Sequence, residues 1–235
     1  MILSPDLGIL RFFNQFAQRS TFFDMSIGMI ADNWLLKGGL IMALYWWVWC
    51  RDGEAAARDK EFVLSGMAMA IETLFVARVL ALTLPFRERP RYTPELHFRI
   101  PTGTASNYLI HWSSYPSDHA ALYFSLATCL FFISRRLGLF AYCHALLVVC
   151  LPRIYLGIHY PSDILVGALL GIGMARLSLI DGLRSSIVRL PLRLARNSPR
   201  FFYPSFYLVT FLIATQFDPV RSMAVLGWKI IHRSR

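Results

Sequence analysis

The sequence predicts an all-α integral membrane protein, a bundle of about six transmembrane helices whose chemically active residues lie in two outer loops. Hydrophobic residues make up 56% of the 235 residues and charged residues only 16%, whereas soluble domains carry about a quarter charged residues. The chain also contains several apolar runs that approach the roughly 20 residues a helix needs to cross a bilayer. Little polar sequence remains for a large soluble domain.

The apolar runs divide the chain into three parts. Residues 1–30 mix phenylalanines with polar side chains, which is typical of an amphipathic segment in the membrane interface. Residues 31–217 form a membrane-embedded domain, and residues 218–235 form a basic tail. Six spans are predicted inside the domain, at residues 33–50, 62–85, 118–134, 139–152, 162–180 and 201–217. The polar stretch 86–117 between the second and third spans is predicted to be a loop with at most short helices.

The net charge of +10 is explained mainly by loops that meet the positive-inside rule and attract anionic lipids. Nucleic acid binding is not expected, because the basic residues alternate with apolar runs instead of covering one soluble face. Basic residues cluster after the first, third and fifth spans, so those loops are predicted to be cytoplasmic. Loops 86–117 and 152–161 then share the opposite face. The basic tail fits this rule only if 201–217 does not cross or if the tail lies along the membrane.

The tetrapeptide Tyr-Pro-Ser-Asp occurs at residues 115–118 and again at 160–163, and each copy opens a predicted span. Proline in the first turn with serine or aspartate near the cap is a helix-start signal. Helix N-termini carry unpaired N–H groups and a partial positive charge. The sequence therefore places two potential anion sites in the same pair of loops.

These two loops carry a dense set of basic and imidazole side chains with one carboxylate. The set comprises Arg87, Arg89, Arg91, Arg99, His119, Arg153, His159 and Asp163. Arginine matches phosphate oxygens in a bidentate manner and stays charged. Phosphoryl transfer depends mainly on positioning and on neutralising the phosphate oxygens. The pattern predicts a phosphate site at the outer face.

Three of these residues have the types needed for phosphoryl transfer. A neutral imidazole at His159 can attack phosphorus if a carboxylate fixes its other nitrogen, and Asp163 follows four residues later at the next helix start. His119, at the start of its own span, is placed to protonate the leaving group. No metal is expected, because the sequence has neither an HxxxH pair nor a cluster of acidic ligands.

These residues resemble the motifs of the type 2 phosphatidic acid phosphatase superfamily, the lipid phosphate phosphatases. The segment 116–119 is similar to the PSGH motif. Arg153, His159 and Asp163 match the spacing of the SRxxxxxHxxxD motif, and Arg89 with the following proline matches the end of KxxxxxxRP. The resemblance implies a metal-independent membrane phosphatase without a cofactor, which acts on a lipid phosphate or diphosphate through a phosphohistidine.

Residue roles follow from this resemblance. It implies that His159 is the nucleophile, that Asp163 orients it, and that His119 protonates the leaving group. The phosphate ligands that it implies are Arg89, Arg153 and the backbone N–H groups of Ser117 and Asp118.

Three positions depart from the motifs. The motif serine is Pro152, the motif glycine is Asp118, and the motif lysine is Leu82. Arg78, one helical turn before the lysine position, is one candidate substitute; Arg87 is another, and the chain having no substitute is the third alternative. Asp118 would repel a phosphate unless it caps its helix or pairs with Arg91.

The aspartate variant of PSGH is similar to bacterial undecaprenyl-diphosphate phosphatases. It favours undecaprenyl diphosphate as the substrate, in a bacterial inner membrane with the site facing the periplasm and with no obligate protein partner. Phosphatidate or phosphatidylglycerol phosphate remains the alternative substrate, and a lipid phosphotransferase or an anion transporter the alternative activity. Lys37 and Glu72 lie inside spans, and we expect them to face the bundle interior as a structural pair.

Overall fold

The computed structural model describes residues 4–104 and 109–223, and within these residues the regular structure is entirely helical. Ten α-helices are connected by loops and short π and 3₁₀ turns. They are α1 (Ser4–Asn14), α2 (Thr21–Asp32), α3 (Leu40–Trp49), α4 (Ala56–Thr83), α5 (Asp118–Ile133), α6 (Arg135–His144), α7 (Leu151–Tyr155), α8 (Pro161–Arg176), α9 (Asp181–Asn197) and α10 (Pro199–Ala214). The all-α prediction is confirmed. Most of the predicted basic tail lies outside the described residues.

Each of the six predicted spans coincides with helical structure. Ala56–Thr83, Arg135–Tyr155 and Pro161–Leu179 are long and apolar enough to cross a membrane. α2 and the helix Leu35–Trp49 form a fourth candidate if this pair, bent by 58°, is one span. α5 and α10 have 16 residues each. The chain is therefore a membrane-embedded helical bundle.

The fourth span begins earlier than the sequence predicted. It starts at Arg135 instead of residue 139, because α6 continues through the π-helical turn Ala145–Cys150 into α7 without a break. Pro152 does not end this helix, which passes through the π-helical turn Ala145–Cys150 just before the proline and continues to Tyr155.

Helix α5 lies at the centre of the bundle between α4 and α8, and most of its residues are buried. Two glycines of α8 allow this close approach. A Cβ atom added at Gly167 would lie 2.3 Å from the carbonyl oxygen of Ser117, and one at Gly171 would lie 2.2 Å from that of Ala121. Small residues one turn apart commonly bring membrane helices together in this way. The contact fixes the N-terminus of α5 against that of α8.

Four helix ends meet at one end of the bundle. α4 and α7 finish there, whereas α5 and α8 begin there, so loops 84–117 and 156–160 come together. Two hydrogen bonds join the loops: Ser117 N–H donates to the Asp163 carbonyl (3.1 Å), and Arg91 N–H donates to the Gly157 carbonyl (3.0 Å). The first loop contains only the 3₁₀ turns Pro90–Tyr92 and Pro94–Leu96 as regular structure among its described residues.

A π-helical turn, Leu35–Gly39, precedes α3 and packs against the end of α10. A Cβ atom at Gly38 would lie 2.2 Å from the carbonyl oxygen of Ala214, so only glycine fits there. The ring of His144 bonds the Leu36 carbonyl at 2.8 Å. The turn is thereby held from two sides, which fixes the position of Lys37 between them.

Candidate active site

A cavity of about 440 Å³ lies where the two loops meet. Six of the nine residues that the sequence assigned to the site line it: Arg78, Arg89, Asp118, His119, Arg153 and His159. The other three, Arg87, Ser117 and Asp163, lie outside its walls. The two loops and the helix ends beside them thus bring both imidazoles and three of the predicted guanidinium groups to one cavity.

His159 sits in the short loop between α7 and α8 and is 3% exposed. Its Nδ1 lies 2.8 Å from the carbonyl oxygen of Ser114 and 3.7 Å from the nearer Asp163 oxygen. At these distances the carbonyl accepts the Nδ1–H bond, and the carboxylate acts through its field. We expected the His159 ring to donate a hydrogen bond to Asp163, but in the structure it donates to the Ser114 carbonyl instead. Nε2 is the ring nitrogen left for the cavity.

The surroundings of His159 favour its neutral form. Burial is the main cause that lowers the pKa of the His159 imidazole below its ordinary value of 6.5, and the guanidinium groups of Arg89 and Arg153 act in the same direction. Asp163 opposes them but does not reverse the shift. A neutral imidazole keeps a lone pair on Nε2, which a nucleophile requires.

Asp163 is fully buried behind His159. Its Oδ2 accepts the Tyr160 N–H at 2.8 Å, and its Oδ1 accepts from Arg87 Nη1 at 2.5 Å. Arg87 also donates to Asp6 Oδ2 at 2.9 Å and lies over the Tyr160 ring. This guanidinium is committed to protein carboxylates, so the structure does not place Arg87 where the sequence analysis expected a phosphate ligand.

Asp6 is a site residue that the sequence analysis missed. It lies on α1, is 2% exposed, and accepts from Ser162 N–H at 2.8 Å and from Ser162 Oγ at 2.7 Å. The N-terminus of α8 therefore already holds two carboxylates of the protein, those of Asp6 and Asp163. The expectation of a free anion site at this helix start is wrong.

His119 occupies the first turn of α5 and bonds through both ring nitrogens. Its Nδ1 lies 2.9 Å from Asp118 Oδ1, and its Nε2 lies 2.5 Å from Arg153 Nη2. A guanidinium can only donate, so Nε2 accepts and Nδ1 carries the proton. His119 is therefore a neutral imidazole, and its Nε2 must gain a proton before it can act as an acid.

Asp118 pairs with Arg78 at 2.5 Å and not with Arg91, the partner that the sequence suggested. Arg78 lines the cavity, whereas Leu82, at the motif lysine position, is 75% exposed. Of the two candidate substitutes for that lysine, Arg78 is at the cavity and Arg87 is behind it.

Arg89 is held in the cavity wall by three carbonyl oxygens. It donates to Ile158 at 2.8 Å, to Trp112 at 3.2 Å and to Ser113 at 3.2 Å. Its guanidinium thereby ties the first loop to the residue that precedes His159. The backbone N–H of Ser117 donates to the Asp163 carbonyl, so it is not available as the phosphate ligand that the resemblance implied.

The expected pair of Lys37 and Glu72 does not form in the described part of the chain. Glu72 is exposed on α4, whereas Lys37 is 8% exposed and lines the cavity. Gln216, which the sequence analysis did not consider, also lines it. Helical periodicity could not show that Lys37 faces the bundle interior and Glu72 faces outward, because both residues stand in otherwise apolar runs.

Fold and site together define a helical membrane protein with an imidazole and arginine cavity at one end of the bundle. A model of the PAP2 superfamily matches residues 62–185, just over half of the chain. The chain therefore belongs to the PAP2 superfamily, and it is a membrane lipid phosphatase of that type.

Individual relatives are more distant. A stretch of 60 residues is 38% identical to the bacitracin transport permease protein BcrC of Bacillus licheniformis, and it covers 26% of this chain and 29% of that protein. The chain thus matches less than a third of that relative's length. The crystal structure of Aquifex aeolicus LpxE is similar with a TM-score of 0.53 and 25% identity, over 76% of this chain and 96% of that chain.

A second solved structure is less similar. It is the first transmembrane PAP2 type phosphatidylglycerolphosphate phosphatase from Bacillus subtilis, with a TM-score of 0.48 and 20% identity over 78% of this chain and 86% of that chain.

Proposed function

We propose that this phosphatase removes the terminal phosphate from a lipid diphosphate, with undecaprenyl diphosphate as the leading substrate, through a phosphohistidine at His159. The observation that carries the proposal is the fixed, neutral imidazole of His159. Ser114 holds its Nδ1, which leaves Nε2 for the cavity that Arg89 and Arg153 also line. The aspartate in the 116–119 motif, which resembles that of bacterial undecaprenyl-diphosphate phosphatases, supports a diphosphate substrate.

In the first step, His159 Nε2 attacks the terminal phosphorus, and the bond from that phosphorus to the leaving oxygen breaks. The electron pair stays on the leaving oxygen, which takes a proton from His119 Nε2. Arg89 and Arg153 neutralise the phosphate oxygens, the main protein contribution to this kind of transfer. Arg153 must exchange its bond to His119 for one to the substrate, and this exchange frees Nε2 to take up the proton.

In the second step, a water molecule attacks the phosphohistidine. His119, now neutral, accepts the proton of that water, and the bond between phosphorus and His159 Nε2 breaks. Inorganic phosphate then leaves. The whole cycle uses imidazole and guanidinium groups alone.

The substrate is tested by phosphate release from a panel of undecaprenyl diphosphate, phosphatidate and phosphatidylglycerol phosphate, with the purified protein in EDTA. We expect the diphosphate to give the highest kcat/KM. His159→Ala should release no phosphate from any of them, and acid-labile label from a ³²P-substrate should appear on the wild type alone. Activity retained by His159→Ala would remove the nucleophile, and a loss of activity in EDTA would remove the metal-independent mechanism.

A lipid phosphotransferase shares the chemistry up to the phosphohistidine. The same assay separates the two activities if sugar or lipid alcohols are added as acceptors. A hydrolase gives free phosphate as the main product, whereas a transferase gives the phosphorylated acceptor. A main product of the second kind would replace the hydrolase proposal.

We also propose that the cavity faces the periplasm of a bacterial inner membrane. The bundle end opposite the cavity carries the basic loops, including Arg51 and Arg135, and basic loops stay in the cytoplasm. A thiol-labelling experiment checks this orientation. Glu95→Cys is introduced into a variant of the protein whose native cysteines have been replaced, and spheroplasts that express it are treated with a membrane-impermeant thiol reagent. A label that reacts only after lysis would reverse it.

A further inference from the structure

Two buried polar side chains in the cavity wall have no role in the mechanism above. Lys37 is 8% exposed and Gln216 is 6% exposed, and both line the cavity. The Nε2 of Gln216 has no hydrogen-bond partner. The Lys37 ammonium forms neither a hydrogen bond nor an ion pair with residues 4–104 or 109–223. Buried donors of this kind are normally satisfied.

The fold brings these two residues together from opposite ends of the chain. Lys37 lies in the π-helical turn that packs against the end of α10, where Gly38 meets the backbone of Ala214. Gln216 follows two residues after Ala214. Its φ of 52° and the φ of 61° at Phe217 both lie in the left-handed region, which residues with a side chain rarely adopt. Strained backbone of this kind collects at functional sites.

The charged neighbours do not satisfy the Lys37 ammonium. Arg153 repels it, whereas the fields of Asp32, Asp118 and Asp218 attract it. Asp118 is bonded to Arg78, Asp218 is bonded to Arg221, and Asp32 is exposed. An ammonium inside a membrane bundle is expensive unless it meets a partner. An anion in the cavity would supply one.

Gln216 also stands at the entrance to an apolar groove. A second cavity of about 250 Å³ shares Gln216, Arg78, Asp118 and Arg221 with the first. Its remaining wall is mostly apolar and includes Ile71 and Leu74. A lipid chain in this groove would enter the polar cavity past Gln216, so the group attached directly to the lipid lies beside Gln216, and the terminal phosphate lies farther in.

We propose that Lys37 and Gln216 form a subsite for the second phosphate of a lipid diphosphate, the phosphate that stays on the lipid. This proposal rests on the phosphatase function proposed above and names the feature that selects a diphosphate over a monophosphate. Lys37 and Gln216 Nε2 donate to the non-bridging oxygens of that phosphate. When the bond between the bridging oxygen and the terminal phosphorus breaks, the ammonium stabilises the charge that develops on the leaving lipid monophosphate.

The test compares two substrates with the same chain, farnesyl diphosphate and farnesyl phosphate, using the full-length protein in detergent. A hydrogen bond to a charged group contributes about 1.5–3 kcal/mol, which corresponds to roughly a tenfold to hundredfold change in rate. We expect Lys37→Met and Gln216→Leu to lower kcat/KM for the diphosphate by about that factor. The monophosphate value should stay within about twofold of wild type, which also shows that the variants fold.

Lys60→Met and Gln15→Leu are matched controls, because Lys60 lies at the start of α4 and Gln15 is exposed after α1. Both should leave the two substrates unchanged. Lys37→Arg should recover part of the diphosphate rate. An equal loss on both substrates, or no loss in Lys37→Met, would overturn the subsite.

A binding measurement keeps this test independent of turnover. Calorimetry with inorganic pyrophosphate and with orthophosphate should show that Lys37→Met weakens pyrophosphate binding about tenfold and leaves orthophosphate binding unchanged. Equal pyrophosphate affinity in the wild type and Lys37→Met would overturn the subsite. By contrast, a wild type that binds pyrophosphate through Lys37 and releases no phosphate from any lipid would refute the proposed function alone.

Discussion

The two Tyr-Pro-Ser-Asp segments have identical residues and meet at the same end of the bundle, yet they start their helices in different registers. In segment 115–118, Ser117 is the N-cap and Asp118 is the first helical residue. In segment 160–163, Tyr160 is the N-cap and Asp163 is the third helical residue. The same tetrapeptide is therefore displaced by two positions relative to its helix.

This displacement decides which carboxylate lines the cavity. At the third helical position, Asp163 folds back to accept the N–H of Tyr160, as acidic residues at this position commonly do, and it is fully buried. At the first position, Asp118 instead bonds Arg78 and His119 in the cavity wall. A motif thus specifies residue types, and the helix start specifies which of them can meet a ligand.

Replacing Asp163 by alanine should have the largest effect. The change removes one of the two carboxylates that pair with the half-buried Arg87 and leaves the Tyr160 N–H without its acceptor. Breaking a buried ion pair costs about 3–5 kcal/mol, and phosphate release should fall by at least about 100-fold. Thermal unfolding in detergent and the phosphate assay measure the two effects. Asp181→Ala, an exposed residue at the start of α9, is the control, and equal stability of the two variants would contradict this role.

Disrupting the close packing of α8 against α5, which holds the two segments together, should have the next largest effect. In Gly171→Val the new side chain meets the backbone of Ala121, which cannot move aside as a side chain could. Overpacking of this kind costs about 1–3 kcal/mol. Gly173→Val is a matched control on the same helix, because nothing lies within 4 Å of its added Cβ. The unfolding temperature should fall in the first variant only; equal shifts would mean that valine destabilises α8 by itself.

Asp118→Asn should reduce activity and leave the fold intact. The amide no longer pairs with Arg78 and makes His119 a weaker base, so kcat should fall about tenfold to hundredfold with little change in unfolding temperature.

The pH profile sharpens this comparison of the two aspartates. In the proposed mechanism, protonation of His159 removes the nucleophile, and the surroundings of this imidazole hold its pKa below the ordinary value of 6.5. Activity should therefore be lost as pH falls below 6.5, both in the wild type and in Asp118→Asn. If the acidic limb of the activity–pH profile moves above pH 6.5 in Asp118→Asn, then Asp118, and not the surroundings of His159, sets the pH at which activity is lost.

Asp6→Ala should have the smallest effect of the series. It removes a cap from Ser162 and one of the two carboxylate partners of Arg87, and a lost cap costs about 1 kcal/mol. Asp163 keeps its bond to Arg87, so we expect only a severalfold loss of kcat. A loss as large as that of Asp163→Ala would show that α1 and not α8 positions the nucleophile.

Much of this architecture could be predicted from the sequence. Long apolar runs are sufficient to locate α4 and α8, and the cationic loops between such runs indicate that 84–117 and 156–160 share a membrane face. The π-helical turn Leu35–Gly39 could not be predicted, because it has the same apolar composition as a regular helix. Its geometry depends on the close contact with α10, which is made by residues far away in the sequence.

The site was predictable to the level of residue type and less so to the level of role. The motifs correctly indicated that His119, Arg153 and His159 lie together at one cavity. The spacing of Arg153 and His159 reflects the local geometry of the loop between α7 and α8. Spacing could not show that Arg87 faces away from the cavity, since an arginine in a polar loop can turn either way. Asp6 was missed because its partner Ser162 lies 156 residues later, and no local pattern marks such a contact.

The carboxylate of Asp6 has a practical consequence for anyone who engineers this phosphatase. The first helix helps to hold the start of α8 and Arg87 in place beside the proposed nucleophile, so we expect that shortening the chain at its start or fusing a bulky tag beside α1 would lower activity even where the bundle still inserts. A purification handle at the carboxyl end avoids that contact. Crystallisation trials with trimmed versions should accordingly keep residues 4–14 and be checked for turnover before any diffraction data are interpreted.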